Sequence, residues 1–373
     1  MSTTNCWKNL AFLISLIFLA YLIFTTENFY ETTISMAKNS YENFGGQENL
    51  RIAIVIVITA GTKVENYEIA TKSVHCYAKI QGYDFIHVLD NNFGCNHKDK
   101  FFRRHCVAAK ILPKYDAILF LDADIGVVNP KKRIEEFMDE DVDLTFYDRF
   151  YNWEIMAGSY IARNTPYAVQ MLEDFADYEY KLPKSFHGTD NGALHIFLAK
   201  KLFPHSSVEI ENCEKIYNKS GGYEDLFTYE ACIRQILGAQ EKMGKVRIFK
   251  KGTGWARDVW LNSGIWNGER DFMLHGWKMN QLKKTPNGTI MTTTMGWSQW
   301  YNPFLGPFDV EKCSPSNSTW QYDLRLIGTR ENIEANHLDY EKQVAIKQIK
   351  SGARMAELLV PKLVDANGKS KTV

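Results

Sequence analysis

Residues 51–60 read RIAIVIVITA, an unbroken run of β-branched and aliphatic side chains. A strand with one wet face alternates apolar and polar residues, whereas an unbroken run belongs to a strand covered on both faces. That requirement, helices on both sides of a sheet, constrains the fold more than any other feature of this chain. The following residues supply those helices. Residues 66–81 have helical spacing, with Ile69, Val74, Tyr77 and Ile80 able to share a face, and Gly82 ends the segment. YDFIHVLD (83–90) reads as a second strand, KFFRRHCVAAKIL as a basic helical stretch closed by Pro113, and Ala117–Leu121 as a third strand. Strand, helix, strand, helix, strand predicts a parallel sheet flanked by helices and wound in the right-handed sense. In such sheets ligands gather at the carboxyl ends of the strands.

The third strand ends in FLDADIGVVNP, where Asp122 and Asp124 lie one residue apart. In extended chain, positions i and i+2 point to the same side. Two carboxylates facing one way at a buried sheet edge repel each other and lose hydration. A surface turn is the bland account of an Asp-x-Asp pair. The apolar stretches on both sides favour the other account: a divalent cation removes both penalties. Hard oxygen ligands suit Mg²⁺ or Mn²⁺, which keep positions for phosphate oxygens. The pair reads as a clamp for a metal-bound diphosphate.

Lys plus Arg and Asp plus Glu number 44 each, so no net field points to nucleic acid. A membrane fits better. Leu10 to Phe24 is free of charge, preceded by Trp7 and Lys8 and followed by Glu27. With no small-x-small cleavage site after it, the segment reads as a signal-anchor, a cleaved signal peptide being the alternative. Lys8 keeps the N-terminus cytosolic. The expected order is a cytosolic tail (1–8), a transmembrane helix (9–26), a stem (27–50), a catalytic domain (51–285) and a C-terminal extension packed on it (286–373). Three sequons, at Asn218, Asn287 and Asn317, agree with a luminal body. So do six cysteines beyond Cys6 (Cys76, Cys95, Cys106, Cys213, Cys232 and Cys313), an even set without CxxC spacing that leaves 15 disulfide connectivities open. The expected location is the Golgi or ER membrane, single-pass, with homodimerisation through the stem left open.

With these stretches in order, residues 51–280 resemble the GT-A glycosyltransferases, in which Asp-x-Asp holds a nucleotide-sugar through a divalent metal. The likeness is to retaining galactosyl-, mannosyl- and xylosyltransferases, and closer to an uncharacterised nematode-type family of nucleotide-diphospho-sugar transferases. VIVITAG, a helix and GYDFIHV match the opening unit of that fold, which implies that Thr59, Ala60 and Tyr67 lie near the nucleoside base. A core or helix-surface position is the competing account of Tyr67. MAGSYIARNTPYAVQMLEDF is similar to the family's Asn-Ala-Gly-Ser segment, implying that Gly158 and its small neighbours let backbone approach the sugar. Met156 stands where the family often has Asn. HGTDNGALHIFL resembles the family's Asp-Gln segment, implying sugar hydroxyls at Asp190 and an amide, Asn191, beside the anomeric carbon. A helix cap at Thr189 or Asp190 competes with that. In DFMLHGWK the resemblance makes His275 the third metal ligand and places Lys278 on the diphosphate; a structural histidine is the alternative.

The implied fold is α/β, of GT-A type, with a mixed, mostly parallel sheet. The implied activity is metal-dependent transfer of a hexose from UDP- or GDP-hexose to a glycan or glycoprotein acceptor, with retention resting on the likeness alone. Arg103, Arg104 and Lys110 read as a solvated face, contact with phosphates being the alternative. GWARDVWLNSGIW, with Trp255, Arg257, Asp258 and Trp260, is a candidate acceptor region, core packing being equally consistent. Two rivals stand: a haloacid-dehalogenase-type phosphatase, whose motif belongs on a first strand, and an inactive luminal glycan-binding scaffold of the same fold.

Overall fold

The computed structural model describes residues 50–296, 299–315 and 320–359, together with the backbone of 363–364 and 370–371. The tail, the membrane span and all of the stem but Leu50 lie outside them, as does the sequon at Asn317. Among the described residues no helix is long and apolar enough to cross a membrane. From Arg51 onward the chain is one compact unit.

Its centre is a mixed seven-stranded sheet in the order β2-β1-β3-β6-β5-β8-β7. The strands are β1 (Ile52–Ile58), β2 (Asp84–Leu89), β3 (Ala117–Leu121), β5 (Leu144–Tyr147), β6 (Ser159–Arg163), β7 (Lys242–Met243) and β8 (Val246–Phe249). The first three run parallel, with Ile54 between Phe85 and Leu119. β1 is buried from Ile52 to Ile56 and β3 along its whole length, as the unbroken apolar runs require. The departure from an all-parallel sheet lies further along: β6 runs antiparallel between β3 and β5, and β5 and β8 then resume the parallel direction. β6 carries small and aromatic residues and is buried like its neighbours, so no apolar pattern marks its direction.

Helices α1 (Glu68–Gln81) and α2 (Lys100–Ile111) begin and end close to the sequence expectation, and α3 (Pro166–Ala176) and α4 (Thr189–Leu202) follow. Gly82 stops α1 in the left-handed conformation at φ +80°. Thr165 caps α3 by accepting from the Ala168 amide. Three more helices follow: α5 (Ser207–Tyr217), α6 (Tyr223–Leu237) and α7 (Arg330–Leu359).

A second, three-stranded sheet has the order β4-β10-β9, built from β4 (Ile125–Val127), β9 (Ala256–Asp258) and β10 (Met273–His275). It carries the chain from the end of β3 to the histidine. The C-terminal stretch is tied here: Trp277 is fully buried and stacks on Trp300 at 5.4 Å, with Phe304 and Phe308 in the same cluster. The six cysteines form three disulfides, Cys76–Cys313, Cys95–Cys106 and Cys213–Cys232. The first links α1 to this C-terminal stretch. Asn218 and Asn287 are both exposed.

Candidate metal and diphosphate site

β3 delivers Asp122 and Asp124 to the sheet edge, beside the end of β1, where Ile56 pairs with Leu121. The second sheet brings in the histidine by register: His275 pairs with Ile125 on one side and with Asp258 on the other. The chain turns over Asp124 itself, whose carbonyl accepts from the amides of Gly276 and Trp277 at 3.0 and 2.9 Å. As a result one ligand atom each from Asp122, Asp124 and His275 lies within 4.8 Å of the others. Ligands around an octahedral ion of Mg²⁺ size stand about 3–4 Å apart. Two carboxylates and an imidazole therefore fit a divalent cation after a small contraction, and this group can hold one.

The site is electrostatically prepared. His275 Nε2 lies 3.4 Å from Asp124 Oδ1, and Lys278 Nζ lies 3.3 Å from Asp124 Oδ2. Burial alone would raise the Asp124 carboxyl; the two cations outweigh it and hold the group well below the usual carboxylate range. His275 responds in the opposite sense. Burial disfavours its charge, yet Asp124 and Asp258 lift it to about 9. Asp258 faces His275 Nδ1 at 3.2 Å and is gripped in turn by Arg149 at 2.6 Å, which also reaches Glu154 at 2.6 Å. A carboxylate on one imidazole nitrogen fixes the ring so that the other can meet a metal.

Asp122 is held differently. Its Oδ1 accepts from Arg104, which also donates to Asp190 at 2.6 Å. Burial and the Asp124 charge raise the Asp122 carboxyl, with Arg104 acting against them. Gly158 lies directly against this carboxylate, since a Cβ at that position would stand 2.0 Å from Asp122 Oδ2. The small residue expected to admit a sugar is thus also required by the aspartate.

Asp190 is only 1 % exposed. Its oxygens accept from Arg104, from the Asn191 amide at 2.9 Å and from Thr189 at 3.1 Å, with His105 Nε2 also 3.1 Å away. Burial would raise this carboxyl, but Arg104 and His105 hold it at about 2. The helix cap is Gly188, without a side-chain bond. Asn191 is half-buried; its Oδ1 accepts from the Ala157 amide at 3.2 Å. Met156 is buried in the core.

Just past the end of β1, Thr59 donates to the buried Asp90 at 2.8 Å, and Ala60 is exposed. Tyr67 is half-buried, and after burial the charge of Asp124 is the main influence raising its hydroxyl, which places it close to the acidic pair and Lys278. Beside it an open cleft of about 460 Å³ is bounded by Thr62, Lys63, Glu65, Asn66, Met279 and Asn280.

Two sequence expectations need correction. Arg104 does not belong to a solvated face: its side chain is 10 % exposed, between Asp122 and Asp190. Helical spacing contained the signal, because Arg104 shares a face with Ala108 and Ile111, both buried. Arg103 pairs with the buried Asp90, and only Lys110, 52 % exposed and paired with Glu173, fits the original description. The 254–266 stretch is core rather than an acceptor surface. Trp255 and Trp260 are buried, and Arg257 is locked to the buried Asp271 at 2.8 and 2.9 Å. Asp258, in the same stretch, stands behind His275 by strand register, which spacing alone does not reveal.

Comparison with protein families matches residues 74–292, more than half of the chain, to the family described as "Protein of unknown function, DUF273". The chain belongs to the DUF273 family. The matched span of this DUF273 protein holds Asp122, Asp124, Gly158, Asp190, Asn191, His275 and Lys278. No curated protein matches its sequence. Among solved structures it is similar to a glycosyltransferase involved in the glycosylation of the major capsid of PBCV-1, at 15 % identity and a TM-score of 0.38, over 60 % of this chain and 93 % of that one. A second is A197 from STIV, at 12 % identity and a TM-score of 0.22, over 33 % and 67 % respectively. Superpositions this loose carry no conclusion about chemistry.

Proposed function

We propose that this chain is a metal-dependent glycosyltransferase of GT-A type that moves a hexose from a nucleotide-diphosphate sugar to a glycan or glycoprotein acceptor. One observation carries the reading: Asp122, Asp124 and His275 meet at the carboxyl edge of parallel strands, with Lys278 and an open cleft beside them. A bound Mn²⁺ or Mg²⁺ would neutralise the diphosphate and ease its departure.

The protein groups divide the remaining work. Asp122, Asp124 and His275 Nε2 supply the ligands, and Asp258 orients the ring. Lys278 moves from Asp124 to the leaving diphosphate and stabilises its charge. Tyr67 and the cleft at 62–66 receive the nucleoside. Asn191 presents its amide nitrogen, which donates to no group among the described residues, towards the sugar. Asp190 acts one step back by holding Arg104 against Asp122. Retention of configuration is part of the proposal and rests on the family likeness. Residence in the secretory pathway, behind an N-terminal anchor, draws support from the three disulfides and the two exposed sequons.

Calorimetric titration of UDP and GDP into the purified full-length protein, with Mn²⁺ and again with EDTA, tests this reading. Metal-dependent binding of one nucleotide is expected. A folded protein that binds neither would refute the transferase and favour the inactive scaffold. The phosphatase rival draws no support from Asp122, whose oxygen is already engaged by Arg104.

A further inference from the structure

A second cleft lies between α6, α7 and residues 151–153, with a volume of about 250 Å³. Enclosed pockets for small ligands run to roughly 300–1,000 Å³, so this opening suits part of a longer chain lying across the surface. Two kinds of side chain form its walls. Tyr151, Trp153 and Phe227 present aromatic rings. Tyr151 and Phe227 meet edge-on at 5.2 Å and an interplanar angle of 89°, with Arg149 over the Tyr151 ring at 5.5 Å and Lys251 over the Trp153 ring at 5.6 Å.

The other wall is cationic. Lys347, Lys350 and Arg354 recur along one face of α7, three or four residues apart. Arg354 is already matched by Asp225 at 2.8 Å and Glu357 at 2.9 Å. Lys347 and Lys350 are exposed and have no carboxylate partner among the described residues. The one acidic group on the lining is Glu224. Aromatic faces pack against the C–H faces of pyranose rings, and unmatched ammonium groups select carboxylate or sulfate.

The cleft also lies near the metal site. Residues 151–153 lead directly into the segment holding Gly158, the residue that abuts Asp122. Five residues of extended chain span at most about 17 Å, which bounds the separation of Trp153 from Gly158. The 151–153 loop is pinned between the two places. Asn152 donates to the buried Glu230 of α6 at 3.0 Å, and the Ile155 amide donates to His195 of α4 at 3.2 Å.

We infer that this cleft binds an anionic oligosaccharide, a chain bearing uronate or sulfate groups, and presents its end to the metal site as acceptor. The delivery step rests on the transferase reading; the binding step stands on the cleft alone. A peptide acceptor is the rival occupant, which the unmatched lysines would also attract and which the test separates.

The test uses full-length protein and fluorescence anisotropy of a labelled sulfated, uronate-containing hexasaccharide, with its desulfated and carboxyl-reduced counterpart as neutral control. Binding of the anionic chain, weakened by salt, is expected, together with at least a tenfold loss in Lys347→Glu/Lys350→Glu. Lys342→Glu on the same helix, away from the lining, is the matched control and should bind like wild type. Trp153→Ala should weaken binding of both probes. Wild-type protein that binds neither probe, or binds both equally, overturns the proposal. So does binding of an acidic peptide, with the same lysine dependence, in place of the oligosaccharide. UDP and GDP titrations on the same preparations separate the two readings. Lost nucleotide binding with intact oligosaccharide binding sinks the transferase and leaves the cleft, whereas the reverse sinks the cleft alone.

Discussion

Gly158→Ala is the most direct test of how Asp122 is placed. The methyl group would stand 2.0 Å from Asp122 Oδ2, 2.5 Å from Cγ and 2.8 Å from Oδ1. Restoring an ordinary contact near 3.4 Å requires the carboxylate to retreat about 1.4 Å, or the β6 backbone to move by as much. Metal–ligand bonds tolerate errors of only about 0.2 Å. The displaced Asp122 would therefore cease to be a ligand while remaining present and charged, and Mn²⁺ affinity should fall about 10- to 100-fold, as when a supporting group around a metal is lost. Overpacking should cost about 1–3 kcal/mol of stability. At about 2 °C per kcal/mol for a unit of this size, the midpoint should drop by roughly 2–6 °C. Gly306→Ala, where an added Cβ meets nothing within 4 Å, controls for the generic effect of alanine. Mn²⁺ calorimetry and a thermal melt on both variants provide the assay. If Gly158→Ala binds Mn²⁺ as tightly as Gly306→Ala, Asp122 is not held where the clamp needs it.

Asp124→Asn removes charge without volume and should abolish Mn²⁺-dependent nucleotide binding while the far-ultraviolet circular dichroism stays native; unchanged affinity would rule out the clamp. Arg104→Met strands two carboxylates, one of them fully buried, so a loss of about 3–5 kcal/mol is expected. Chemical denaturation should show it, and a loss below about 1 kcal/mol would return Arg104 to the surface role that its sequence context suggested. Cys313→Ser opens a cross-link spanning 237 residues. Chain entropy sets an upper value of about 5 kcal/mol, and a measured loss of roughly 2–5 kcal/mol is expected, read as a lower melting midpoint.

How much of this could be read from the sequence depends on whether the signal was local. The β1 run, the Gly82 stop and the Asp-x-Asp end of β3 are written in consecutive residues, and each lies where its pattern puts it. His275 was reached only through a likeness between families, because nothing in its neighbours marks it as a partner of residues 150 positions earlier. What joins them is the antiparallel pairing of β10 with β4, two three-residue strands too short for any periodicity to register. Asp258 and Arg149 were invisible for the same reason. Arg104 was a different failure: charge suggested solvent, while its helical face suggested core, and the face was the better guide. Pairing of two buried carboxylates with one guanidinium is what reconciles them.

In the proposed transferase the charges around the site would set the order in which its ligands arrive. Asp122 and Asp190 pair with Arg104, and beside them Asp124, Glu154 and Asp258 pair with Arg149, His275 and Lys278. With every group ionised, five carboxylates stand against four cations, so in the proposed transferase a diphosphate without a metal would meet net repulsion. Asp122, Asp124 and His275 would hold a divalent ion that replaces the His275 proton, and its charge would offset the excess and favour phosphate oxygens. Because His275 titrates near 9 in the metal-free protein, above its ordinary 6.5, the proton is present at pH 7 and must leave. The sign follows: the ion pairs of His275 with Asp124 and Asp258 stabilise the metal-free protein fully below about pH 6.5, and that contribution, of order 3 kcal/mol, is lost as pH rises through 9. Mn²⁺ affinity should move the other way, rising close to tenfold per pH unit between about 7 and 9. Calorimetry at pH 7 in buffers of different ionisation enthalpy should show nearly one proton released per Mn²⁺ bound, and the gap in melting midpoint with and without Mn²⁺ should widen with pH. If no proton is released and the affinity is flat across that range, His275 is not the third ligand.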